Sequence, residues 1–264
     1  MKSLIVIPSR YASKRFPGKP LADIAGRTLL ERVVDVARSA CAMTPDCDYV
    51  VATDDARIEA HAKALDAPVV MTDPDLPSGT DRAYAAALQQ DVLPDLVLNL
   101  QGDAPLTPAS LIGGLITAAE TVEAEVYTPV TQLSWDKLDE MRAQKKDTPF
   151  SGTTCLRDAQ GKAFWFSKNI IPAMRKESEL RAHNPFSPVY RHIGLYGYRM
   201  QALKTFTELS EGHYEQLEGL EQLRFLENGL RIHTLAVELP AASSWGVDTP
   251  QDAERVAALI KTHG

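Results

Sequence analysis

The first half of the chain alternates short apolar runs with amphipathic helical patterns, and this alternation restricts its fold more than any other feature. SLIVIPS (3–9) is a continuous apolar run of the kind a strand needs when both its faces are covered. TLLERVVDVARSA (28–40) follows, with Leu29, Val33, Val36 and Ala37 on one helical face and charges on the other. DYVVATDD (48–55) and PVVMT (68–72) read as strands two and three, with the helical ARIEAHAKALDA (56–67) between them. SGTDRAYAAALQQ (78–90) reads as a helix capped by Ser78 or Thr80. DLVLNLQGD (95–103) is a fourth strand and TPASLIGGLITAAET (107–121) another helix. Strands and helices alternating in this way predict a doubly wound α/β sheet with right-handed crossovers. Ligands on such sheets bind beyond the carboxyl ends of the strands. Arg10, the Thr53-Asp54-Asp55 run and the Gln101-Gly102-Asp103 run all fall at those ends.

The second half reads differently. EVYTPVTQL (125–133) is a strand, and the polar segment 134–151 carries no clear pattern. TTCLRDAQGKAFWFS (153–167) predicts a hairpin turning at DAQG. VYRHIGLYGYRM (189–200) reads as one aromatic-rich strand, and EQLEGLEQLRFLENG (215–229) as one helix ending at Gly229. LRIHTLAVEL (230–239) is a strand, and the last helix is expected to have Thr249 as its N-cap and Pro250 at its first position. The whole is expected to be a single domain over 1–264, with roughly 130–215 as an insertion.

Charge narrows the function. The 264 residues carry a formal net charge of −7, which argues against broad nucleic-acid binding. Yet Arg10, Lys14, Arg15 and Lys19 fall within ten residues, beside Gly18. A basic, glycine-containing loop after the first strand suits a polyphosphate: backbone N–H groups wrap it and Arg and Lys supply charge. Neither a GxxxxGK[ST] nor a GxGxxG pattern is present, so this is neither a P-loop nor a dinucleotide turn. The three cysteines, Cys41, Cys47 and Cys155, show no metal-ligand spacing and read as reduced thiols. The N-terminal apolar run is too short for a signal peptide, and no segment approaches a membrane span, so a cytoplasmic protein is expected.

IPSRYASKRFPGKPL resembles the nucleotide-binding signature of the sugar nucleotidyltransferases. VVATDD, SGTDR, NLQGDAP, FWFSKNIIP, RHIGLYGYR, LEGLEQLRFLENGLRI and GVDTPQD follow in the order seen in the CMP-KDO synthetases, the 3-deoxy-manno-octulosonate cytidylyltransferases, and together span nearly the whole chain. The resemblance implies a nucleotide-diphospho-sugar transferase-like fold with a mixed, mostly parallel sheet, and a homodimer. It implies a reaction in which CTP and a 3-deoxy-ulosonic acid, KDO or a close analogue, give the CMP-sugar and pyrophosphate for lipopolysaccharide or capsule synthesis. It assigns Arg10 and Lys19, helped by Arg15, to the β- and γ-phosphates, and leaves Lys14 solvated. Ser78, Gly79 and Thr80 would lie by the cytosine and ribose, with Arg82 a weaker candidate. Gln101, His192, Tyr196 and Glu221 match sugar-contacting positions. Asp103 and Asp248 match the ligands of a Mg²⁺ ion, a pairing suited to a hard cation that takes one or two carboxylates plus phosphate oxygens; with Arg10 and Lys19 they form the expected catalytic set. Arg191 is a lesser candidate for the sugar carboxylate, because on a regular strand it alternates away from His192.

The chain departs from the family pattern at Ala104, where an acidic or amide residue is usual, at FSGTTCLRD (150–158), and in its cationic 136–150 segment. These departures bear on the acceptor more than on the reaction, and leave open an amino-ulosonate or another acidic sugar. A non-catalytic nucleotide-binding homologue is the alternative from another class.

Overall fold

The computed structural model describes residues 1–12, 15–238 and 246–263. Lys14, expected to be solvated, lies outside the described residues. Strand β1 (Ser3–Ser9) leads through a single 3-10 turn (Lys19–Leu21) and a two-residue hairpin, β2 (Asp23–Ile24) and β3 (Arg27–Thr28), into α1 (Leu29–Met43). Then come β4 (Cys47–Thr53), α2 (Ala56–Ala64), β5 (Val69–Met71), α3 (Gly79–Ala87), β6 (Leu96–Asn99) and α4 (Ala109–Thr121). These are the alternating elements expected from the sequence.

The second half contributes β7 (Val126–Ser134), α5 (Trp135–Asp147), β8 (Thr154–Arg157), β9 (Ala163–Ser167), α6 (Glu177–His183), β10 (Phe186–His192) and β11 (Tyr196–Arg199). It ends with α7 (Met200–Glu208), α8 (His213–Glu218), α9 (Gln222–Glu227), β12 (Ile232–Ala236) and α10 (Pro250–His263).

One ten-stranded sheet runs β5-β4-β1-β6-β11-β7-β10-β8-β9, with β12 on β7. β5, β4, β1 and β6 are mutually parallel, and β12 is parallel to β7; β11 enters antiparallel to both β6 and β7. The mixed α/β sheet expected from the resemblance is present. Residues of β1 alternate between its two faces. Ile5 and Ile7 pack into a core with α1, α2, α4 and α10, while Leu4 and Val6 pack with α3, α7 and α9. All four are essentially fully buried, each contributing about 1.5–3 kcal/mol through loss of apolar surface to water.

Three local expectations are corrected. The 189–200 run is two strands, because the chain leaves the ladder between His192 and Tyr196 and changes partner from β7 and β8 to β6 and β7. The 215–229 run is two short helices, because Gly219 adopts a left-handed φ of 62° and stops α8. Gly229 does terminate α9, with φ 77°. The patternless 134–151 segment contains α5: Trp135, Leu138 and Met141 are its only residues in a small core with Leu133 and Val189, Arg142 and Lys145 are half-buried, and most of the remainder is exposed. The 153–167 hairpin forms as expected, with Asp158 Oδ1 accepting the Gln160 and Lys162 amides at its turn.

Candidate active site

The site begins where β1 ends. Tyr11 and Gly18 close the basic loop through a Gly18 N–H to Tyr11 carbonyl bond of 2.9 Å. Gly18 has φ 72°, and a Cβ there would lie 3.2 Å from the Tyr11 ring, so glycine suits both the backbone conformation and the close approach. The 3-10 turn that follows starts at Lys19 and aims its side chain across the sheet end. Lys19 Nζ donates to Asp103 Oδ2 at 2.7 Å and lies 3.7 Å from Asp248 Oδ1. Arg15 Nη2 donates to the same Asp248 oxygen at 2.9 Å.

Asp103 reaches this point because of Gly102. The chain leaving β6 crosses the end of β1 so closely that a Cβ on Gly102 would sit 2.5 Å from the Pro8 carbonyl oxygen. The Val247 N–H then donates to the Asp103 carbonyl at 2.8 Å, bringing the start of α10 to the same place. Thr249 and Asp252 cap that helix reciprocally: Thr249 Oγ1 accepts the Asp252 amide, and the Asp252 carboxylate accepts the amides of Asp248 and Thr249. Asp248 is therefore held by a structured helix start. The carboxylates of Asp103 and Asp248 converge on a single cationic group, which fits a donor pair for a divalent ion that prefers oxygen.

Arg10 turns to the loop before α3 rather than to this cluster. Its Nη2 donates to the carbonyls of Leu76 and Ser78. Ser78 is the N-cap of α3, its hydroxyl accepting the Thr80 and Asp81 amides and donating to Asp81 Oδ2 at 2.6 Å. Gly79 opens the helix beside Pro8. Arg82, the weaker candidate, is fully buried and structural: it pairs with Asp54 at 2.8 Å and donates to Thr72.

The second half supplies the opposite wall. Thr80 Oγ1 donates to Glu221 Oε2 at 2.8 Å, joining α3 to the residue just before α9. Glu221 therefore stands between two helices rather than within one. The residue as a whole is exposed, but desolvation around its carboxyl raises the pKa above the usual range, with the Thr80 bond acting the other way. Tyr196 stacks on Tyr198 with ring centres 5.6 Å apart, and His192 lies 5.2 Å from Tyr196. His192 Nε2 is 2.9 Å from Thr128 Oγ1. Burial first, and then the positive charge of Lys168, push the imidazole down to about 3, so it is neutral at pH 7. Gln101 Nε2 donates to Asn99 Oδ1 at 3.3 Å, and Asn99 is the β6 partner of Tyr196.

Sequence reasoning missed Lys168. Its peptide is clamped from both sides: its N–H donates to Glu218 Oε2 at 2.7 Å, and its carbonyl accepts Lys145 Nζ at 2.6 Å. Desolvation lowers the Lys168 ammonium, and its charge is felt at His192. The only sequence signal was a lysine directly after an apolar strand, FWFSK. Lys145 is the anchor hidden in the cationic 136–150 segment, donating also to the carbonyls of Pro149, Ser151 and Gly152.

The sequence-predicted residues thus form three adjoining groups. Lys19, Arg15, Asp103 and Asp248 make the first; Arg10, Ser78, Gly79 and Thr80 the second; Glu221, Tyr196, His192 and Gln101 the third. Thr80–Glu221 links the second and third.

A family model described as cytidylyltransferase matches residues 4–232. A protein of Maricaulis maris named 3-deoxy-manno-octulosonate cytidylyltransferase is 44% identical, covering 100% of this chain and 99% of its own length. One of the same name from Bacteroides thetaiotaomicron is 38% identical over 99% of each. Among solved structures, that of CMP:2-keto-3-deoxy-manno-octonic acid synthetase complexed with CTP superposes with a TM-score of 0.84 at 31% identity, covering all of both chains.

Proposed function

The chain belongs to the cytidylyltransferase family, and on that premise we propose that it activates 3-deoxy-manno-octulosonate with CTP, giving the CMP-sugar and pyrophosphate. The observation that carries this reading is the convergence of a basic loop, two carboxylates and a polar aromatic wall at the carboxyl ends of β1 and β6.

Lys19, Arg15 and Arg10 bind the triphosphate. Their charge offsets that of the β- and γ-phosphates and so lowers the cost of releasing pyrophosphate. Ser78, Gly79 and Thr80 receive the cytidine. Gln101, His192, Tyr196 and Glu221 orient the sugar, and Lys168 supplies a cation for its carboxylate. Neutral His192 serves as a hydrogen-bonding group rather than as a charge. The anomeric hydroxyl attacks the α-phosphorus in line, and positioning carries much of the rate. Asp103 and Asp248 would hold Mg²⁺, which supplies charge stabilisation to the phosphates when bound.

The region 130–215 is the sugar-binding and subunit-contact insertion of a homodimer. The exposed Phe164 on β9 and Phe186 on β10 support this. Among the described residues no helix is long and apolar enough to cross a membrane, and a cytoplasmic location suits the free thiols.

Pyrophosphate release with CTP and a panel of acidic sugars tests the reading. KDO is expected to give the highest kcat/KM. Preference for an amino-ulosonate would move the acceptor assignment, and no release with any acceptor would favour a binding-only homologue.

A further inference from the structure

Away from the site, at the amino ends of the parallel strands β1 and β4, the carboxyl end of α1 turns into β4 through Thr44, Pro45 and Asp46. This turn is held tightly. The Thr44 N–H donates to the Cys41 carbonyl, the Ser3 N–H donates to the Asp46 carbonyl, and Asp46 adopts φ 55°. It brings Cys41, in the last turn of α1, against Cys47, the first residue of β4, with their Sγ atoms 3.1 Å apart. Both thiols are half-buried and free. They line an open surface cavity of about 500 Å³ with Lys2, Thr44, Pro45, Asp46 and Asp48. The third thiol, Cys155, is buried in the core, and burial pushes it up to about 12.

We propose that Cys41 and Cys47 are a reversible thiol–disulfide couple that closes on reaction with a low-molecular-weight disulfide. A bonded pair needs sulfurs about 2.05 Å apart, so closure requires an approach of only about 1 Å across a turn already folded for it. Cys41 is the attacking sulfur. The contact with Cys47 lowers the Cys41 pKa, against burial and the Asp48 carboxylate, which raise it, while the same contact and burial raise that of Cys47. The Cys41 thiolate attacks one sulfur of the small disulfide, forming a mixed disulfide and expelling one thiolate. The Cys47 thiol then loses its proton and attacks the Cys41 sulfur, expelling the second. The balance is one protein dithiol plus one small disulfide giving one protein disulfide plus two small thiols. Excess small thiol runs the sequence backwards. A couple of this kind, at the margin of the core, open to a surface cavity and away from the catalytic groups, has the surroundings of a redox-responsive pair rather than of a structural bridge.

The test uses the full chain equilibrated in mixtures of oxidised and reduced glutathione, alkylated, and digested without reductant for mass mapping. The expected result is a Cys41–Cys47 crosslinked peptide that grows with the oxidised share and disappears in excess reduced glutathione, while Cys155 stays free. Cys47→Ser should trap a glutathione adduct on Cys41, and Cys41→Ser should give about tenfold less adduct on Cys47. Cys41 and Cys47 remaining alkylatable at every ratio would overturn the couple. So would a wild type that accumulates stable glutathione adducts or bonds between chains instead of the crosslink. Equal adduct yields in the two serine variants would overturn Cys41 as the attacking sulfur.

Discussion

Lys19 Nζ lies 2.7 Å from Asp103 Oδ2, so the cation assigned to the triphosphate and a carboxylate assigned to the metal share one position before substrate arrives. Both side chains are largely shielded, at 15% and 32% exposure, so the contact is stronger than a surface pair. Binding of CTP with a divalent ion is expected to separate them. Lys19→Met should then reduce kcat/KM for CTP about 100-fold, a loss of about 2.7 kcal/mol of binding in the transition state. Initial rates across CTP concentrations measure it, and a change of less than threefold would remove Lys19 from the phosphate site.

The Thr80–Glu221 bond makes a separate claim, that the nucleotide and sugar walls are coupled. Glu221→Gln should raise the KM for the sugar about tenfold and leave the KM for CTP nearly unchanged, because the amide keeps the Thr80 contact but loses the charge. Thr80→Val should raise both. In a double variant of Thr80→Val with Glu221→Ala, each of which removes the bond, the effects should fail to add by about 0.5–3 kcal/mol, the range for residues in direct contact. Strict additivity would show that the two walls act independently.

Gly102 is a steric requirement. Alanine there would place its Cβ 2.5 Å from the Pro8 carbonyl, so the β6 exit must shift and Asp103 with it. Gly102→Ala is expected to cost about 1–3 kcal/mol of stability, in line with overpacking, and to remove most of the turnover. Thermal unfolding and activity measured together check this. A variant with wild-type Tm and turnover would mean that the crossing is looser than 2.5 Å implies.

His192 predicts a pH dependence of stability. Its pKa falls from about 6.5 in the unfolded chain to about 3 in the folded protein. Below about 6.5 the unfolded chain takes up a proton that the native state refuses. This contribution is therefore fully present above pH 6.5 and is lost as pH falls towards 3, at no more than about 1.4 kcal/mol per unit. His192→Gln, which can still bond to Thr128, should flatten the slope of unfolding free energy in that window. His233, also lowered by burial, remains in both proteins, so the difference isolates His192. Denaturant titrations at pH 4, 5, 6 and 7 give the slope; two parallel curves would contradict a buried neutral imidazole.

Much of this architecture is legible in the sequence because β1, β6 and the 50–53 half of β4 have both faces covered and read as short, largely apolar runs. The basic loop stands out through its charge and QGD through its place after a buried strand, and the roles of both come from the resemblance. Three features escape for physical reasons. Helix α5 touches its core only through Trp135, Leu138 and Met141 and is otherwise polar, so its periodicity is diluted. Gly219 breaks a helix whose flanking residues all favour one, and only its backbone angle shows it. Lys168 and Lys145 acquire their roles from contacts with Glu218 and with backbone carbonyls, which no local pattern encodes. The Arg15–Asp248 pair joins residues 233 apart in sequence, and only the resemblance placed them at one site.

The central claim is that Asp103 and Asp248, from opposite ends of the chain, serve one metal-dependent transfer. Pyrophosphate release from CTP and KDO with saturating Mg²⁺, measured for the wild type, Asp103→Asn and Asp248→Asn, tests it most directly. The prediction is a loss of kcat of about 100-fold or more in each variant, with far-ultraviolet circular dichroism unchanged. Near-normal turnover in either variant would contradict it.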